Sequence, residues 1–338
     1  MNEHKNTGYN KQVYYRLIAL WVICEAFAGG IMHGIKLPFS GLIVSSLAIT
    51  CIILIAYYVP SRSAIIKATI IVAIFKLMLS PHSPPTAYIA VFFQGLLGQL
   101  LLNNRRHFKT GAIVVAVLGL VESAIQRILV LVIVYGNNLW KAINVFLQKL
   151  THEKTPTNYS FIIAVSYILL HALIGIFVGI YAVRLAKRSA LWKDASPQLV
   201  FDKSNISEEN IFQRGKQKKK LKWVFVVIWL VLVALYIQSY LQPNTSIVPK
   251  GIIADMLMRS VLIILSWFLI ISPLLMLLIK RILHSQQSRN RNEMNEVMQL
   301  IPQTKYIFKR SLQLSEAASG IKRIKLFIKI LLVNVLAD

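Results

Sequence analysis

Apolar residues along this chain fall in long runs broken by short polar stretches, and the runs have the length that a bilayer selects. A hydrocarbon core about 30 Å thick is crossed by about 20 mostly apolar helical residues. On that measure the pattern predicts spans at Val13–Gly30, Phe39–Val59, Ala64–Leu79, Thr86–Leu102, Thr110–Tyr135, Tyr159–Leu185, Leu221–Tyr240 and Ile252–Leu283, the third and fourth being short. Two stretches are amphipathic instead. Asn138–Leu150 repeats Leu139, Ile143, Phe146, Leu147 and Leu150 at helical spacing, as expected of a helix that lies on the outer membrane face or caps the bundle. Arg289–Asp338 sets Ile321, Ile324, Ile328 and Leu331 on one side and Lys322, Lys325 and Lys329 on the other. Such a helix suits a membrane surface or a docked partner. No repeat of fixed period is visible.

The expected fold class is therefore all-α: a polytopic integral membrane protein. A six-helix bundle (1–188) leads through a polar, basic cytoplasmic linker (189–220) to two spans and a cytoplasmic amphipathic tail (221–338). Composition agrees. The chain is 56% hydrophobic and 15% charged over 338 residues, whereas soluble domains carry roughly 25% charge. Its net charge of +25 invites a nucleic-acid reading, but the basic residues sit between the apolar runs. Lys5, Lys11 and Arg16 lie at the start, Arg62 and Lys67 follow the second run, and Arg105, Arg106 and Lys109 follow the fourth. Arg184, Lys187 and Arg188, then Lys216, Lys218, Lys219, Lys220 and Lys222, follow the sixth. The alternate connections are poorer: Ser80–Pro85 has no Lys or Arg, and 241–251 has only Lys250. Gly136–Asn158 has Lys141, Lys149 and Lys154 against Glu153. Positive charge marks cytoplasmic loops, so both termini are expected on the cytoplasmic side of an inner or plasma membrane. Membrane lipids, including anionic headgroups, are the expected counter-charge, and no nucleic acid is. The first run lacks a cleavage pattern and reads as an uncleaved span.

Ionisable groups inside spans are costly and raise a functional hypothesis by default. At 1.5 Å of rise per residue, Glu25 falls in the outer half of the first span, Lys76 near the outer end of the third and Gln94 mid-depth on the fourth. Glu122, Gln126 and Arg127 run from mid-depth outward on the fifth. Glu122 and Gln126 are four apart and share a face. These six are the candidate substrate-binding residues, suited to an outward-facing polar pocket for a small solute. The alternative reading for each is structural: Glu25 with Lys76, or Glu122 with another base, as ion pairs holding helices together. His171 reads as a hydrogen-bonded packing residue, Lys67 as an interfacial lysine with its head in water, and Asp255 with Arg259 as an intrahelical pair. Gly95 with Gly98, and Gly175 with Gly179, mark close helix approach.

Cys24 and Cys51 lie in apolar runs, with neither a disulfide framework nor zinc spacing. There is no phosphate loop of the G-x-x-x-x-G-K-[ST] type, no H-E-x-x-H and no G-x-S-x-G. No cofactor, metal or enzymatic activity is expected, and any active transport must draw its energy from a partner or an ion gradient. An integral enzyme acting on lipids would need acidic or histidine clusters at the membrane surface. The 13 Asp and Glu residues form none.

Several stretches carry a resemblance. GIMHGIKLPFSG (Gly30–Gly41), KATIIVAIFK (Lys67–Lys76), SPHSPP (Ser80–Pro85) and FFQGLLGQLL (Phe92–Leu101) give residues 1–188 a likeness to the S component of energy-coupling factor (ECF) type vitamin transporters. IPQTKYIFKRSLQLSEAASG (Ile301–Gly320), followed by IKRIKLFIKILLVNVL, is similar to the coupling region of that family's T component. There a proline-containing cytoplasmic helix leads to an Ala-Arg-Gly motif that docks in an ATPase groove. Ala318, Ser319 and Gly320 stand at the matching positions, with serine in place of arginine, and no second motif is found by Asp338. The resemblance implies that a vitamin, cofactor or precursor is bound from outside, with ABC-type ATPase subunits as partners. It implies ATPase coupling through Ile301, Pro302, Ile307, Ala318, Ser319 and Gly320, with Leu312 and Leu314 as further apolar anchors. A scaffold or assembly protein without a small ligand is the competing expectation.

Overall fold

Helix formation starts where the chain supplies a cap. In the computed structural model, Asn10 accepts from the amides of Gln12 (2.8 Å) and Val13 (3.4 Å) through its side-chain oxygen, which satisfies donors that the first turn leaves open. The structure describes residues 10–25, 40–80, 83–152, 157–201, 226–227, 229–231, 233–234, 237–238 and 252–337. Among them there are helices and turns and no strand. The helices are α1 (Lys11–Ile23), α2 (Ser40–Tyr58), α3 (Ala64–Leu79), α4 (Pro85–Leu101), α5 (Phe108–Thr151) and α6 (Tyr159–Ala195). They continue with α7 (Ile252–Ser266), a π-helical turn (Trp267–Ile271), α8 (Ser272–Arg289), α9 (Arg291–Leu314) and α10 (Gly320–Leu336).

Among the described residues, four helical stretches are long and apolar enough to cross a membrane: Gly41–Tyr58, Arg105–Asn137, Tyr159–Trp192 and Met258–Arg289. They coincide with the second, fifth, sixth and eighth runs of the sequence pattern. Helices α1, α3 and α4 occupy the first, third and fourth and are shorter. The seventh, Leu221–Tyr240, falls largely outside the described residues, as does most of Gly30–Gly41.

Two breaks have local causes. Helix α5 holds both the fifth run and the amphipathic stretch after it, divided at Gly136, whose φ of 63° and ψ of −161° are not helical. That backbone is open to glycine and strained for other residues. The π turn at Trp267–Ile271 immediately precedes Pro273 in α8. Proline lacks an N–H and crowds the carbonyl four residues back, and a widened turn relieves both.

The chain forms two compact units, each assembled from separate stretches. One comprises Met1–Ser123, His171–Gln213 and Lys280–Asp338; the other comprises Ala124–Leu170 and Arg214–Ile279. In the first, α1 is the centre: Val13, Tyr14 and Arg16–Ile23 are all buried, beneath α2, α3, α9 and α10. It runs parallel to α3, because Tyr14 donates to the carbonyl of Ala64 at one end (2.8 Å) and Glu25 meets Lys76 at the other. Gly95 and Gly98 let α4 close against Thr69 and Ile52. Gly175 and Gly179 bring α6 onto the backbone of α5, at Val117 and Ile113 respectively. Four residues forward on one helix match four back on the other, so this contact is antiparallel. In the second unit, Arg259 lies over Gly136, and Ser260 donates to the carbonyl of Val134 (3.1 Å), one of those the break leaves without a helical partner.

Helices α9 and α10 belong to the first unit's core. Met294, Val297, Ile301, Thr304, Ile307 and Ser311 form a buried stripe along α9, and α9 packs on α1 and α10. Helix α10 folds back, its Phe327 ring edge-on to Phe308 (5.2 Å between centroids), and buries Ile330–Leu336. Its buried Asn334 donates to the carbonyl of Leu199 (2.8 Å) and accepts from the amide of Phe201 (2.7 Å). Arg16 donates to the carbonyl of Ala337.

A methyl group on Gly175 would sit 2.7 Å from the Cα of Val117, a backbone atom that cannot rotate aside. Gly175→Ala and Gly179→Ala are each expected to destabilise by about 1–3 kcal/mol, the usual cost of overpacking. The thermal midpoint of the purified chain in detergent reads this; an unchanged midpoint would show that the helices do not meet there.

Candidate functional site

The end of α1 carries the most concentrated polar chemistry of the first unit. Glu25 follows the last regular turn, and its carboxylate lies 2.5 Å from the Lys76 ammonium. Both residues are buried, at 5% and 6% exposure. Lys76 also approaches the carbonyl of Ala87 (3.5 Å) and stands 6.0 Å from the centre of the Tyr88 ring, a cation–π arrangement. The sequence spacing leaves these two residues 51 positions apart; the parallel packing of α1 and α3 joins them.

Beside the pair on α1 and α4, and further along α4, lie buried polar atoms with no partner among the described residues. Trp21, one turn before Glu25, has its indole N–H without a hydrogen-bond partner among the described residues, and the same holds for the Tyr88 hydroxyl and the side-chain oxygen of Gln94. All three residues are fully buried, or nearly so. Each such group normally finds a partner, and leaving it without one costs about 1–3 kcal/mol. Trp21 and Tyr88 were not on the list of candidates drawn from the sequence. Trp21 was accessible by its four-residue spacing from Glu25; Tyr88 was not, because its position beside Lys76 is set by the turn between α3 and α4.

The other candidates are more dispersed. Gln94 packs against α5 at Gly119. Glu122 lies one turn further along α5, half-buried. The register of the glycines sets His171 level with Val121, next to Glu122, and His171 is buried at 1% exposure. Gln126 and Arg127 belong to the second unit, Gln126 half-buried and Arg127 exposed. Arg259 packs on Gly136, while the side chain of Asp255 lies outside the described residues. Lys67 pairs with Glu293 of α9 (3.2 Å), both partly exposed. No group of three or more His, Cys, Asp or Glu able to hold a metal occurs among the described residues.

The coupling-region candidates divide by exposure. Ile301 and Ile307 are at 1% and 0% exposure, buried on a helix that packs on α1 and α10. Pro302 sits inside an otherwise continuous helix. Ala318, Ser319 and Gly320 form the corner before α10: Ser319 is extended and exposed, and Gly320 has a φ of 58° with open space around it. Beside that corner Leu312, Leu314, Ile321 and Ile324 are exposed, and Glu316 pairs with Arg323 (3.0 Å).

Neither a protein-family model, nor a curated protein, nor a solved structure matches this chain.

Removing one partner of a buried ion pair strands the other charge and costs about 3–5 kcal/mol, whereas replacing both by apolar groups is often neutral. Glu25→Gln and Lys76→Met are each expected to lower the yield of folded protein and its thermal midpoint sharply. The double variant Glu25→Leu/Lys76→Met is expected to recover most of the loss. Additive single effects would show that the two charges do not interact.

Proposed function

We propose that this chain is a membrane subunit of an ECF-type uptake transporter in a bacterial inner membrane. It binds a small cofactor, vitamin or precursor from the outside and couples to partner ABC-type ATPases. In this reading there are eight spans, six of them in the N-terminal bundle, and both termini are cytoplasmic. The observation that carries the proposal is the packing of α9 along α1. Helix α9 holds the stretch with coupling-region character, and α1 ends in Glu25, half of the buried pair with Lys76. A push delivered to α9 is thereby a push on α1, and displacing α1 separates the two charges. The pair together with the open hydrogen-bonding atoms of Trp21, one turn before Glu25, and of Tyr88, beside Lys76, offers a solute both signs of charge and two donors.

Because Ile301 and Ile307 are buried, the surface left for an ATPase groove is the corner at Ala318–Gly320, with Leu312, Leu314, Ile321 and Ile324 around it. Burial of those two isoleucines also favours the competing reading, a scaffold that uses α9 only to close its own core.

Purification through a C-terminal tag in mild detergent, followed by mass spectrometry of bound proteins and small molecules, separates the two. The transporter reading expects an ATPase pair that is lost when Leu312, Leu314 and Ile324 are changed to Asp. It also expects a small molecule whose occupancy falls at least about tenfold in Glu25→Leu/Lys76→Met, the scale of one lost charged hydrogen bond. Recovery of neither overturns it in favour of the scaffold.

A further inference from the structure

A cleft of about 320 Å³ opens at the bend where α8 gives way to α9. Its polar wall is made by His284, Gln287 and Ser288 from α8 and by Arg291 and Asn295 from α9. Every one of these offers an N–H or O–H, and no acidic side chain lines the cleft. Glu293, two residues after Arg291, does not line the cleft, and one of its carboxylate oxygens is engaged by Lys67 at 3.2 Å. The apolar floor is three methionines, Met78, Met294 and Met298, whose unbranched side chains adapt to an irregular guest.

Location narrows the guest further. The cleft lies at the end of Met258–Arg289, one of the stretches long and apolar enough to cross a membrane, and Ile282 beside it is largely exposed. A phosphate flanked by hydrocarbon is the chemistry found where a span ends. Basic residues at that level attract anionic lipid, and the arginine fork matches phosphate oxygens with two parallel hydrogen bonds. A volume near 320 Å³ is at the lower end of small-molecule sites, roughly 300–1,000 Å³, which fits a headgroup better than a whole lipid.

We propose that this cleft binds a phosphate group, supplied by the headgroup of an anionic phospholipid, with Arg291 and His284 as its charged contacts. The site does not rest on the transport reading, but it sets Met78, two residues after Lys76 at the end of α3, beside the α8–α9 bend, whereas the eight-span order with cytoplasmic termini sets these two on opposite sides of the membrane.

The test uses the full chain, purified in detergent and delipidated. Retention of phosphatidylglycerol against phosphatidylcholine is measured by native mass spectrometry, with inorganic phosphate as competitor. The expected result is preferential retention of phosphatidylglycerol, reduced about tenfold or more by Arg291→Gln, since a charge-assisted hydrogen bond is lost. Asn295→Trp fills the cleft without changing charge and is expected to give a similar loss. Displacement by millimolar inorganic phosphate would keep the phosphate site and reassign its source to the free anion. Equal retention of both lipids, or a loss in Arg310→Gln as large as in Arg291→Gln, would overturn the proposal in favour of diffuse surface charge.

Discussion

A carboxylate and an ammonium 2.5 Å apart with almost no access to solvent constrain everything packed around them. Neither charge tolerates such burial alone, so α1 and α3 hold the register that brings Glu25 to Lys76. The Tyr14 hydroxyl on the Ala64 carbonyl fixes the other end of the same helix pair. With both ends tied, α1 has a defined depth and direction. The remaining helices of the first unit are arranged against a fixed axis.

That axis needs cover on every side, because α1 is apolar nearly all round. Helices α2 and α3 cover part of it, and α9 and α10 cover much of the rest. The stripe on α9 that does this contains Thr304 and Ser311 among its aliphatic residues. Thr304 returns its hydroxyl to the carbonyl of Leu300 (2.8 Å), which makes a polar residue acceptable in a buried seam and keeps the seam narrow. The Asn334 clasp on 199–201 and the Arg16 contact with Ala337 fasten the last helix to the start of the first. A segment that reads in sequence as a trailing cytoplasmic helix is thus part of the core that holds the ion pair.

The apolar runs carried the helical class and the position of most helices: α3 coincides with the predicted Ala64–Leu79. Packing glycines were legible because Gly175 and Gly179 share a face. Glu25 and Lys76 were legible as costly charges, though the sequence left open whether they pair. The stripe on α9 was not legible, since Thr304 and Ser311 interrupt its hydrophobic pattern and the apolar anchors Leu312 and Leu314 stand out more strongly. Those two are exposed, while Ile301 and Ile307 are hidden. On α10 the conspicuous isoleucines, Ile321 and Ile324, are likewise exposed, and the continuous run Ile330–Leu336 is the part that packs. A run apolar on all sides gives no preferred face to read. The cleft at His284–Met298 depends on a bend between helices and on Met78 from α3, which no local pattern could supply.

The burial of α1 and the proposed coupling both depend on α9 being seated on α1. In a background with Cys24 and Cys51 changed to Ser, single cysteines at 301, 307, 312 and 324 can be tested for their rate of reaction with a water-soluble maleimide on the folded protein. The structure predicts fast labelling at 312 and 324, and labelling at 301 and 307 only after denaturation. Equal rates at all four positions would contradict the seam. Protection at 324 as strong as at 301 would mean that the helices lie in lipid rather than on α1.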